Sequence, residues 1–158
     1  PLSRSSCWVC KLLASAAGSA LLPAAWAQKR PEPTAVELWK DASCGCCEDW
    51  ITHMKQHGFT VTAHDTGNNA VRARLGLAQK YGSCHTALVG GYVVEGHVHA
   101  DDVRRLLRDK PVALGLAVPG MPVGSPGMDG AVYGGRRDKY DTLLVLRDGS
   151  SRVFRSHS

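Results

Sequence analysis

Three cysteines crowd into four consecutive positions, Cys44-Gly45-Cys46-Cys47, where an alternating segment gives way to a helical one. Sulfur at that density restricts the fold. The chain must end a strand and start a helix around thiols too crowded to be incidental core packing. A fourth cysteine stands far downstream, in Ser83-Cys84-His85-Thr86. Thiols grouped in this way exchange disulfides or hold a soft metal such as Cu(I). Structural pairing explains the cluster poorly, because a Cys44–Cys47 bridge closes almost no loop and constrains little of the unfolded chain. A single zinc ion is better served by separated Cys-x-x-Cys pairs than by adjacent Cys46 and Cys47. Adjacent thiolates suit bridging between two soft ions, and thiolate with thioether ligands selects Cu(I). A helix N-terminus adds backbone N–H groups and a dipole that favour thiolate over thiol.

The compartment decides what free thiols can do. Residues 1–27 read as an export signal: Arg4 and Lys11, then an apolar Ala-rich run from Leu12 that closes in Ala25-Trp26-Ala27. Gly18 and Pro23 interrupt that run, which falls short of the ~20 apolar residues a spanning helix needs. Cleavage after Ala27 predicts a periplasmic protein with no membrane span, in an oxidising space where unliganded thiols pair off. It would also remove Cys7 and Cys10 and lower the net charge of +5 by two. Residues 28–34 read as a Pro-rich linker and 35–158 as one domain. The basic residues are scattered and do not interleave with aromatics, which argues against a nucleic-acid groove.

Within the domain, alternation predicts a first strand over Ala35–Lys40. Cys47–His57 reads as a helix with Trp50, Ile51 and Met54 on one face and Gly58 as its stop. Phe59–Ala63 reads as a second strand, Asn69–Gly76 as a short helix and Leu77–Tyr81 as a further helical piece. Thr86–Val89 and Tyr92–Glu95 form a hairpin across Gly90-Gly91, and Asp101–Lys110 a helix that Pro111 ends. The resulting α/β order, β-α-β-α-β-β-α, is the thioredoxin arrangement, whose first strand-to-helix junction carries Cys-x-x-Cys. Gly115–Gly130 reads as a structured Gly/Pro/Met loop. Thr142–Arg147 and Arg152–Arg155 add a C-terminal β-hairpin.

Further donors surround the cysteines. Met121 and Met128 sit in Pro-Gly-Met contexts of the loop, and thioethers survive an oxidising compartment as copper ligands. His85, next to Cys84, is the best-placed imidazole for a secondary ligand or proton relay. His53 and His57 share one helical face at i, i+4, and His97 and His99 share one side if the chain is extended there. Solvated or hydrogen-bonded imidazole is the plainer reading for those four. Asp65 suits a turn cap. No nucleophile elbow, phosphate loop or dinucleotide fingerprint is present.

Cys44-Gly-Cys-Cys-x-x-Trp50-x-x-His53, Gly58-Phe59-x-Val61, Ser83-Cys84-His85-Thr86-Ala87, Gly91-Tyr92-Val-Val-Glu-Gly96-His97 and the run from Gly115 to Met128 resemble the exported copper-resistance proteins of the CopG type. The resemblance spans about Val36 to Met128. It implies a thioredoxin-like fold in which Cys44, Cys46, Cys47 and Cys84 hold Cu(I) as a thiolate-bridged multi-copper cluster with redox change of copper or cysteine. Copper ions and other periplasmic copper-handling proteins are the partners it implies. His57 and His99 depart from the family pattern. A second class stays open, a thiol–disulfide oxidoreductase acting on proteins through Cys44 and Cys47, and so does a passive copper chaperone.

Overall fold

The computed structural model describes residues 32–158. The expected export signal and most of the expected linker lie outside them. Seven strands and three helices follow in the order β1 (Thr34–Lys40), α1 (Gly45–Gln56), β2 (Phe59–His64), α2 (Asn69–Arg74), β3 (His85–Val89), β4 (Tyr92–Glu95), α3 (Ala100–Asp109), β5 (Gly115–Ala117), β6 (Tyr140–Val145) and β7 (Ser151–His157). Through α3 this is the order expected from sequence. The strands make one mixed sheet, β2-β1-β3-β4-β5-β6-β7. β1 runs parallel to β2 and β4 to β5, and the other neighbours are antiparallel. Among the described residues no helix is long and apolar enough to cross a membrane.

Side-chain alternation sorts the sheet into two faces. Val36, Leu38, Ala87, Val89, Val94, Leu116 and Leu144 meet Trp50, Ile51 and Met54 of α1 and Val103 and Leu106 of α3 in the main core. The intervening residues Val93, Ala117 and Val145 pack on the other face with Leu77 and Tyr81. Buried Cys47, Trp50, Ile51 and Met54 recur at i, i+3, i+4 and i+7, the stripe by which α1 docks. Each fully buried apolar side chain of this kind is worth about 1.5–3 kcal/mol. The indole N–H of Trp50 donates to the Val98 carbonyl at 2.8 Å, which ties α1 to the start of α3.

Three expectations need correction. Gly115–Ala117 is a strand, not loop, and carries the sheet from β4 across to the terminal hairpin. Its register needs glycine, since a Cβ at Gly115 would lie 1.7 Å from the Val93 carbonyl oxygen. A three-residue strand whose partners are distant in sequence leaves no periodic trace of its own. The helical piece at Leu77–Tyr81 is only a 3-10 turn, Gln79–Tyr81. The first helix also starts earlier than expected, with Cys44 as its extended N-cap and Cys46 and Cys47 in its first turn.

Candidate metal centre

The strand β1 delivers the chain to Asp41, and a turn closed by Cys44 N–H to Asp41 O at 3.1 Å turns it into α1. This places Cys44, Cys46 and Cys47 around one helix N-terminus. Cys84 stands one residue before β3, the strand paired with β1, and so reaches the same end of the sheet. The four sulfurs lie within 4.8 Å of one another. Cys46 Sγ is 3.6 Å from Cys44 Sγ and 4.0 Å from Cys84 Sγ. Cys44 and Cys47 are joined in a disulfide, while Cys46 and Cys84 are free thiols. Burial pushes the Cys84 thiol up to about 12, and the neighbouring Cys46 adds to the rise. An incoming cation would therefore displace a proton from it.

Imidazole adjoins the sulfur. His97 Nε2 lies 3.0 Å from Cys84 Sγ, and His85 Nδ1 lies 3.5 Å from it. Cys84, His85 and His97 form a second convergent donor group that shares one sulfur with the first. His97 Nδ1 is 2.7 Å from the Pro126 carbonyl, so that nitrogen carries the proton and Nε2 is left with its lone pair toward the sulfur. Burial holds both rings below the usual imidazole range, His85 far below it, so both are neutral and fit to ligate. His85 Nε2 is buried and meets no hydrogen-bond partner among the described residues. Four sulfurs and two neutral imidazoles, one with an unspent nitrogen, make a donor set suited to a soft metal ion.

Solved structures decide the family. One of a copper resistance protein CopG, form 1, aligns at 46% identity and a TM-score of 0.73, covering 80% of this chain and 98% of that one. Form 2 gives 45% identity and a TM-score of 0.74, with 80% and 100% covered. The chain belongs to the CopG family. Residues 81–128 also match the family described as "Protein of unknown function, DUF411". No curated protein matches.

Around the CopG-type cysteines, the Gly/Pro loop makes two contacts. Gly120 N–H donates to Gly82 O at 3.0 Å, and the Ser83 hydroxyl donates to Gly120 O, which sets Met121 one residue from the Cys84 segment. At the other contact a Cβ on Gly127 would lie 2.6 Å from the Cys46 carbonyl oxygen, so only glycine lets the loop rest on α1. Met128 follows it, buried, with its sulfur accepting the Tyr133 hydroxyl at 3.2 Å. Met121 is 52% exposed.

His97 is the residue that sequence reasoning passed over. The signal was present: counting outward from the Gly90-Gly91 turn through Val89↔Tyr92 and Thr86↔Glu95 sets Cys84 opposite His97. His97 and His99 do not share a side. His99 bonds the Tyr140 hydroxyl at 2.9 Å and stacks on His157 instead. Asp65 does not act merely as a turn residue, because it pairs at 2.7 Å with Lys40, whose buried ammonium also takes Glu48 of α1 at 2.7 Å.

Proposed function

We propose that this chain is an exported, periplasmic copper-binding protein of copper tolerance that holds Cu(I) on Cys44, Cys46, Cys47 and Cys84. One observation carries the reading: Cys84, far from the others in sequence, brings its sulfur to 4.0 Å from Cys46. Adjacent thiolates favour bridging and hence more than one copper ion. His97 and His85 supply nitrogen on the Cys84 side, and Met121 and Met128 flank the two contacts of the loop with the cysteine segments. The sheet order β2-β1-β3-β4, with its cysteines at the first strand-to-helix junction, supports a thioredoxin-like frame.

The Cys44–Cys47 disulfide supplies a redox side to this reading. Four thiolates are available only when that bond is reduced. Forming it from two thiolates releases two electrons, enough to convert two Cu(II) to two Cu(I). It also withdraws two sulfurs from the pocket, so oxidation loosens the metal. Cu(I) titrated anaerobically into reduced protein should bind against a moderate competing chelator. Protein that retains none would end the copper reading.

The same disulfide favours the alternative, a thiol–disulfide oxidoreductase acting on proteins. That activity needs only Cys44 and Cys47. Insulin reduction that survives Cys46→Ser and Cys84→Ser would support it, whereas loss of copper binding in both variants supports the first reading.

A further inference from the structure

A buried ion pair lies beneath the sulfurs. Arg72 of α2 and Glu95 at the end of β4 have side chains 3% and 0% exposed, with Nε and Oε1 2.8 Å apart. Taking two charges out of water costs several kcal/mol per ion, and an apolar pair of similar volume is often as stable or more so. Mutual attraction therefore does not explain the pair, but its remaining hydrogen bonds do. Glu95 Oε1 accepts the Ser83 N–H at 2.7 Å, and Oε2 accepts the Thr86 hydroxyl at 2.6 Å. Arg72 Nη2 donates to the Ser83 carbonyl at 2.8 Å, and Asn68 Nδ2 donates to the same oxygen at 3.1 Å. Arg72 Nη1 is anchored on Asn69 Oδ1 at 2.9 Å and Gln79 Oε1 at 3.0 Å.

Both backbone polar groups of Ser83 thus end on this pair, and the Ser83 carbonyl belongs to the peptide that carries Cys84. The ladder to β1 begins only at His85, so strand pairing does not fix Cys84. We propose that Arg72 and Glu95 are positioning residues that hold Cys84 opposite Cys46 before any ligand arrives. The clamp itself concerns the two thiols; its consequence for copper rests on the function proposed above. A planar guanidinium suits the task because it reaches Glu95, Ser83 and the Asn69–Gln79 anchor at once, which a lysine ammonium on its flexible stem cannot do.

The test needs no metal. In the full chain with Cys7, Cys10, Cys44 and Cys47 changed to serine, Cys46 and Cys84 are the remaining thiols, and dibromobimane fluoresces only when it bridges both. The parent should bridge readily. Arg72→Met/Glu95→Leu, which removes both charges together, and Arg72→Lys should each bridge about ten-fold more slowly, the lower end of the range for lost outer partners of a ligand. Thermal unfolding identifies which variants are folded, and Arg72→Lys, which keeps the charge pair, decides the matter if the double variant is not. A parent that fails to bridge, or a folded variant that bridges at the parent rate, overturns the clamp. In the four-cysteine chain the same substitutions should weaken Cu(I) binding about ten-fold. Failure of the unsubstituted chain to take Cu(I) would end the copper reading and leave the bridging result standing.

Discussion

Histidine is concentrated in two regions of this molecule, and only one of them looks like a site. At the sulfur mouth, His85 and His97 turn ring nitrogens toward Cys84, and His85 Nε2 is left without a partner among the described residues. The other region links His53, His57, His99 and His157 in a chain of ring contacts. There each ring gives one nitrogen to a protein partner and none to sulfur. His53 Nε2 accepts the Ala100 N–H, His57 Nδ1 donates to the His53 carbonyl, and His99 bonds Tyr140. His157 bonds Thr142 and the buried carboxylate of Asp102, which also takes Arg155 at 2.8 Å. The larger cluster is structural glue between α1, α3 and β7. Convergence with cysteine sulfur, not the density of imidazole, sets the first region apart from the second.

Substitution can break that contrast. Cys84→Ser should have the largest effect, abolishing competition-resistant Cu(I) binding, because it removes the sulfur common to both donor groups. Retention of full stoichiometry in a chelator titration would mean that the pocket is not the site. His97→Ala should follow with a 10–100-fold weaker Cu(I) affinity, roughly the cost of losing a ligand or its close support. The paired control His99→Ala should leave the affinity unchanged, and equal losses would erase the difference between the two histidine regions. Asp102→Ala should act the other way, costing about 2 kcal/mol in urea unfolding through lost charged hydrogen bonds while copper stoichiometry holds.

The smallest expected effect is on pH. Burial holds His53 down to about 4 from 6.5, with His57 and His99 adding to the depression. The folded state thus binds this proton more weakly than the unfolded chain. Its stabilising share is complete above the unfolded value and is lost as pH falls from about 6.5 through 4. Urea midpoints should decline over that interval, and His53→Gln should flatten the decline. An unchanged slope in the variant would place the acid sensitivity elsewhere.

Local pattern made much of this legible. The Trp50–Ile51–Met54 stripe, the Gly90-Gly91 hairpin and the cysteine cluster at a strand-to-helix junction each declare themselves within a few residues. The order of elements through α3 followed, and with it the convergence of Cys84 on the other cysteines. Short or aperiodic segments hid the rest. β5 has three residues and pairs with strands on either side of a long loop, so neither alternation nor composition marks it. His97 required the hairpin register to be counted past its last paired residues.

By itself the sequence determined which sulfurs would meet, because a fixed element order brings the N-terminus of α1 and the start of β3 to the same end of one sheet. Only the tertiary structure decided which nitrogens join them and what steadies Cys84. Those answers depend on contacts between residues far apart in the chain, among them Pro126 with His97 and Arg72 with Glu95. No local periodicity encodes such pairs, since they form only where the packed elements leave polar groups that must find one another away from water.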